Sequence, residues 1–335
     1  MSTLKKAIFA TTVLVFVLTV GFFGLEMWLR AQHTTWDPNG IDSGPRAHRE
    51  CYRLSFTTGY EPIPNKCKRD EKGFYRTWTG ASDSDALKIL VFGDSIADQH
   101  LWVQQMSESL SKSVSQNVQT KNAGTPGFDT CTELQMFKDK GVEEDFDILL
   151  LQFCPNDLAT TATIIPLSNN RVRFFIGFEY VEFPKWVLSS RIATWIAIQT
   201  LNRQTAENGN RSSIEPIAQC LQEFKELSED MGVEMRIVLF PSFYDDIEDP
   251  TPVFSIKDTM YNTQMAEETS RRFLEESKIP FIEIRSIFEQ DNLSLEAHRN
   301  SSNDIWHPNN EGQIRIGNAL STWMQKDLPS ISNHE

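Results

Sequence analysis

The stretch from residue 87 to 325 predicts a three-layer α/β fold, a five-stranded parallel sheet with helices on both faces. Two observations predict it. Short apolar runs alternate with stretches whose apolar residues recur every three or four positions. In the strongest run four apolar residues are consecutive, the pattern of a strand buried on both faces, as in a parallel sheet covered by crossover helices.

The elements follow in order. Leu87–Phe92 is a short apolar run bounded by Gly93, the first strand. Trp102, Met106, Leu110 and Val114 then mark one face of a helix. Asn117–Lys121 is a second strand, ending in the turn-rich Asn122–Gly127, and Leu134 with Phe137 indicates a short helix. Phe146–Phe153 is the strongest strand, with Ile148, Leu149, Leu150 and Leu151 consecutive. Ile214, Ile217, Leu221, Phe224 and Leu227 form a helical stripe. Met235–Phe240 is a fourth strand, residues 259–278 a helix and Phe281–Ile284 a fifth strand. Ile316, Leu320, Trp323 and Met324 belong to a closing helix.

Residues 159–212 break the alternation as a long insertion. Arg171–Tyr180 has the composition of a hairpin and Trp186–Leu201 that of a helix. Long connections in compact domains are either functional or disordered, and the Phe and Trp content argues against disorder. The insertion reads as a cap or substrate wall, with a purely structural role as the alternative.

The N-terminus sets the compartment. Lys5 and Lys6 precede the apolar run Ala7–Leu25, whose nineteen residues span about 28 Å as a helix, close to a bilayer core. The flanking lysines favour the cytoplasmic side, which puts everything after Arg30 outside. A cleaved signal peptide is the alternative, but its apolar region is shorter and ends at a small-residue site, whereas Glu26, Trp28 and Arg30 follow here. The layout is then a cytoplasmic tip and transmembrane anchor (1–30), a linker and irregular extension (31–86), the α/β domain (87–328) and a tail (329–335). The net charge of −14 excludes a general nucleic-acid binder, which needs a Lys/Arg surplus.

The chain has five cysteines, in a compartment that permits disulfides. Cys51 and Cys67 share one non-periodic stretch and form one candidate pair. Cys131 and Cys154 both follow strand ends and form another, which leaves Cys220 free. There is no CxxC or HExxH, so nothing in the sequence supports a zinc site, and no other cofactor is implied.

In open α/β sheets ligands bind beyond the carboxyl ends of the strands. Gly93-Asp94-Ser95 follows the first strand, Asn122-Ala-Gly-Thr-Pro-Gly127 the second and Cys154-Pro-Asn156-Asp157 the third. Asp304-Ile-Trp-His307 follows the fifth, just before the last helix. A serine hydroxyl needs an adjacent base to become a nucleophile, and His307 can supply one. Asp304, three residues earlier, can bond the far imidazole nitrogen and fix its tautomer. The N–H groups of Ser95 and Gly127 and the Asn156 amide would serve a tetrahedral oxyanion, with Gly124 as the alternative to Gly127. Asp94 shapes the nucleophile turn. His100 and His298 read as surface residues.

These four segments, in this order, resemble the SGNH hydrolase superfamily, the GDSL-type esterases and lipases. The resemblance covers about residues 87–325, and the anchor with Gly59-Tyr-Glu-Pro-Ile-Pro64 resembles membrane-anchored bacterial members. It implies a flavodoxin-like sheet of order 2-1-3-4-5. It also implies Ser95 as nucleophile, His307 as base, Asp304 as orienting acid, and Gly127 and Asn156 as oxyanion donors. One departure is Cys154, where the family has glycine, so a side chain there is expected to narrow the site or demand altered backbone angles. The function implied is hydrolysis of acyl or acetyl esters outside the cytoplasmic membrane, the substrate a glycan or lipid ester. An O-acyltransferase acting on an envelope glycan with the same triad is the alternative, and a non-catalytic glycan-binding relative a third.

Overall fold

The computed structural model describes residues 3–31, 51–55, 58–78, 85–158, 163–166, 171–176, 179–184, 186–187, 190, 192–193, 196, 200, 214–243, 254–256, 259–261, 263–301, 304 and 306–326. The linker at 32–50, most of the expected helix at 186–201 and the tail lie outside these residues.

The chain opens with a single helix, α1 (Thr3–Ala31), whose Leu4–Trp28 segment is long and apolar enough to cross a membrane. β1 (Tyr52–Ser55) and β2 (Gly59–Pro62) form an antiparallel hairpin. The Cys51–Cys67 disulfide closes it, with Cα atoms 5.6 Å apart. β3 (Tyr75–Trp78) follows. Next come β4 (Leu87–Phe92), α2 (Ser95–Asp98), α3 (Leu101–Val114) and β5 (Val118–Asn122). α4 (Thr130–Met136) runs into a π turn at Phe137–Gly141 before β6 (Ile148–Phe153). Within the insertion, β7 (Thr163–Pro166), β8 (Arg171–Ile176) and β9 (Glu179–Pro184) form a separate antiparallel sheet, which includes the expected hairpin. Then come α5 (Ile214–Asp230), β10 (Glu234–Leu239) and the small hairpin β11 (Phe254–Ile256) with β12 (Thr259–Tyr261). α6 (Thr263–Ser277), β13 (Phe281–Glu283), α7 (Ile284–Gln290) and α8 (Asn310–Lys326) complete the chain. The helix expected from residue 259 thus starts at Thr263, after β12.

The main sheet has six strands in the order β13-β10-β6-β4-β5-β3. The five strands from β4 onward are mutually parallel, in spatial order 2-1-3-4-5. The expected five-stranded parallel sheet is corrected to a mixed one, because β3 adds an antiparallel edge from within the stretch read as irregular. Tyr75 lies opposite Asn122 and Trp78 opposite Gln119. An edge strand covers only one side of its neighbour, so a four-residue Tyr-Arg-Thr-Trp segment suffices without an apolar run.

Successive residues of a strand face opposite ways, and here both faces are covered. Ile89 and Val91 of β4 pack with Trp102, Met106 and Leu110 of α3 and Ile316 and Leu320 of α8. Leu90 and Phe92 pack on the other face with Phe137 and with Phe224 of α5. This division explains the second disulfide. Cys131 on α4 and Cys220 on α5 share one face and are bonded, with Cα atoms 5.2 Å apart. Cys154 joins the core of the opposite face and is the free thiol, so the expected Cys131–Cys154 pairing with Cys220 free is corrected.

Candidate functional site

The site lies at the carboxyl edge of the parallel strands. β4 runs straight into Asp94 and Ser95, and Asp94 N–H donates to Gln152 Oε1 of β6 at 2.9 Å. Asp94 is buried. Its Oδ1 caps α2 by accepting the Ile96 N–H at 2.8 Å, and its Oδ2 accepts the Asn156 amide at 3.0 Å. One carboxylate therefore sets both the turn that carries Ser95 and the orientation of Asn156. Burial pushes the Asp94 carboxyl above its ordinary value, against the hydrogen bonds from Ile96 and Asn156 and the proximity of His307.

Asn122, the last residue of β5, ties the second loop to the first. Its Oδ1 accepts the Gly124 N–H at 2.8 Å, and its amide donates to Ala97 O at 2.7 Å. A Cβ at Gly124 would come within 2.5 Å of the Ala97 carbonyl carbon and the Asp98 nitrogen, so only glycine lets the loop approach α2. Because Asn122 consumes the Gly124 N–H, that group is not available to a ligand. Gly127, at φ +78° in the left-handed region, has its N–H in none of the described hydrogen bonds. Of the two glycines, Gly127 is the one whose N–H is not used by a described hydrogen bond.

His307 is brought to Ser95 from 212 residues away, with Nε2 2.7 Å from Ser95 Oγ. Its Nδ1 lies 2.8 Å and 3.0 Å from the two carboxylate oxygens of Asp304. A proton on Nδ1 satisfies the carboxylate and leaves Nε2 free to accept from the hydroxyl. Asp304 Oδ1 also accepts the backbone N–H groups of Trp306 at 3.2 Å and His307 at 3.1 Å. Partial burial alone would raise the Asp304 carboxyl. The hydrogen bonds from the His307 side chain and from the two backbone N–H groups, with the His307 charge, outweigh it and hold the group below the ordinary carboxylate value. All five residues singled out in the sequence thus sit at one edge, with Ser95, His307 and Asp304 in a hydrogen-bonded line and Asn156 joined to them through Asp94.

Three expectations need correction. Cys154 does not crowd the site, because its side chain lies in the core and its φ is not in the left-handed region. Burial pushes its thiol well up, with nearby Asp94 adding to the effect, so it stays protonated. His298 is buried rather than solvent-facing, with Nδ1 2.7 Å from Ser294 O and its ring edge-on to Phe288. His100 is no surface residue either. It stacks on Tyr75, and its ring nitrogens lie 3.1 Å from the Asn122 amide and from the Thr77 hydroxyl. Burial, with Arg69 nearby, lowers its pKa to about 4.

Behind Asn156 lie further buried acids. Asp157 accepts the Thr130 hydroxyl at 2.8 Å, and Glu133 has neither oxygen hydrogen-bonded. Burial raises both carboxyls well above the usual range, and Asp94 and Asp129 push them the same way. Among the described residues no group of three or more His, Cys, Asp or Glu is arranged to hold a metal ion. Sequence reasoning missed two residues that shape the site, Gln152 and Arg69. Gln152 had a signal, a polar residue inside a wholly buried strand. Arg69 sits in a polar, aperiodic stretch and had none.

No protein-family model matches the chain, and no curated protein matches it in sequence. Among solved structures, the chain is distantly similar to Axe2, an acetylxylan esterase from Geobacillus stearothermophilus. The alignment covers 74% of this chain and 98% of that one at 12% identity, with a TM-score of 0.46. A structure described as a lipolytic protein of the G-D-S-L family from Desulfitobacterium hafniense aligns over 70% and 98% at 12% identity and TM-score 0.39. One described as an acylhydrolase from Bacteroides fragilis aligns over 75% and 92% at 15% identity and TM-score 0.39.

Proposed function

We propose that the chain is a serine esterase of the SGNH type, acting on acyl or acetyl esters outside the cytoplasmic membrane. The observation that carries this reading is the line Asp304–His307–Ser95, with contacts of 2.8 Å and 2.7 Å. Ser95 Oγ attacks the ester carbonyl carbon while His307 Nε2 takes the hydroxyl proton. The carbonyl electron pair moves onto oxygen, where the N–H groups of Ser95 and Gly127 and the second N–H of the Asn156 amide meet it. His307 then returns its proton to the departing alcohol. Water, activated by the same imidazole, releases the acid. Asp304, held ionised by its donors, stabilises the imidazolium formed in each step.

The helix α1 is read as a retained anchor. Support comes from Glu26 near its end, a buried side chain whose Oε2 accepts the Ser190 hydroxyl at 3.1 Å and the Ile192 N–H at 3.0 Å. A helix destined for removal gains nothing from such a seat on the folded domain. In this reading the full-length chain stays in membranes washed at alkaline pH. Recovery of soluble protein lacking α1 would oppose it.

The activity test is an ester panel with wild type and Ser95→Ala, including acetylated glycans and short and long p-nitrophenyl esters. Release of free acid by the wild type alone supports the proposal. Transfer to a glycan acceptor without free acid would move the assignment to an O-acyltransferase, and no turnover of any ester would oppose it.

A further inference from the structure

The guanidinium of Arg69 is wholly buried, although it belongs to a surface extension. Its Nη2 pairs with Asp98 Oδ1 at 2.5 Å and donates to Gly124 O at 2.8 Å. Its Nη1 donates to Gly73 O at 2.9 Å, and its plane lies over the Tyr75 ring, 4.1 Å from the centroid. The hydroxyls of Tyr52 and Tyr75 converge on the same Asp98 oxygen, at 3.3 Å and 3.2 Å. Asp98 closes α2, the one-turn helix that Ser95 opens, and Gly124 stands in the loop that ends at Gly127. A single cation therefore joins the segment carrying the hydroxyl to the loop carrying the Gly127 N–H.

The extension is built to hold this cation. Cys67 and Lys68, just before Arg69, are both in the left-handed region, at φ 51° and 64°, and the Cys51–Cys67 disulfide closes the segment. Arg69 N–H bonds Lys66 O at 2.9 Å. A planar group with donors in a fixed fork can serve Gly73, Gly124 and Asp98 at once. A lysine ammonium at the end of a flexible stem keeps the charge but not that geometry.

We infer that Arg69 is a positioning residue for the proposed reaction, fixing the spacing between Ser95 and the oxyanion donor Gly127. The inference rests on Ser95 being the nucleophile. Misplacement of reacting groups by about 1 Å costs on the order of 10²-fold in rate, with ground-state binding little changed. The donor would be lost to the transition state and not to the bound ester.

The test compares full-length wild type, Arg69→Lys, Asp98→Asn and Arg76→Met on one short p-nitrophenyl ester, together with the affinity of an alkyl boronic acid that forms a tetrahedral adduct on the serine. Arg76 pairs with Asp70 and Glu71 in the same extension and controls for general loosening. Arg69→Lys is expected to lower kcat about 10²-fold and weaken the boronic acid in parallel, with KM within about threefold of wild type. Asp98→Asn follows in the same direction and carries the test if Arg69→Lys does not fold. Arg76→Met keeps wild-type values. A folded Arg69→Lys, or Asp98→Asn in its place, with kcat and boronic-acid affinity like wild type would overturn the inference. So would an equal loss in Arg76→Met. If wild type itself neither turns over the ester nor binds the boronic acid, the esterase reading fails instead.

Discussion

Asp304→Asn keeps the shape of the side chain and removes its charge. The two backbone donors on Oδ1, from Trp306 and His307, require an acceptor at that position, so the new amide oxygen takes it. The amide nitrogen then stands where Oδ2 was, 3.0 Å from His307 Nδ1. The variant can keep the imidazole in place but offers no anion to the imidazolium. Two unit charges about 2.8 Å apart at an effective dielectric of about 20 interact by about 6 kcal/mol. The His307 and Asp304 side chains are 27% and 21% exposed, so solvent screens part of this and the figure is a ceiling. At about 1.4 kcal/mol per decade the ceiling is roughly 10⁴ in rate, comparable to the loss from a wrongly set tautomer. The expected result is a fall in kcat of about 10³–10⁴ with a small change in KM. The assay is steady-state hydrolysis of a p-nitrophenyl ester by the purified full-length chain, with thermal melts to show that the variant is folded. A folded Asp304→Asn retaining more than about a tenth of the activity would refute the role given to this carboxylate.

Other predictions are more local. Asn156→Ala removes one oxyanion donor and frees an acceptor on Asp94, so kcat should fall about 10²–10³ with KM little changed, read in the same assay. Glu133 has its carboxyl raised by burial and by the neighbouring acids. The folded state thus binds this proton more tightly than the unfolded state, and the stability it contributes is full below about pH 4 and lost as pH rises toward the raised folded value. Glu133→Gln should flatten that decline in melts from pH 4 to 8, and an unchanged slope would remove Glu133 from the account. The disulfides close loops of 89 and 16 residues, so in the chain-entropy model Cys131→Ser with Cys220→Ser should cost about 4–5 kcal/mol and Cys51→Ser with Cys67→Ser about 3, measured by urea unfolding.

Much of this architecture was legible because strands buried on both faces leave apolar runs, as in Ile148–Leu151, and because ligand-facing residues follow those runs. Ser95, Gly127 and Asn156 could be placed at strand ends, and His307 with Asp304 before the last helix, before any distance was known. β3 was not legible, since an edge strand of Tyr, Arg, Thr and Trp needs no apolar run. The Cys131–Cys220 bond depends on which face of the sheet each helix covers, and periodicity does not say that. Arg69 stayed hidden for a similar reason. Its burial is made favourable largely by Asp98 and Gly124, 29 and 55 residues further along, and a polar stretch without period carries no trace of such partners.

The most direct test of the central claim is labelling of the folded full-length chain with a fluorophosphonate, followed by mass mapping of the modified peptide. The account predicts one adduct, on Ser95, absent in Ser95→Ala and sharply slowed in His307→Ala. A folded wild type that takes up no label, or a label that persists in Ser95→Ala, would contradict it.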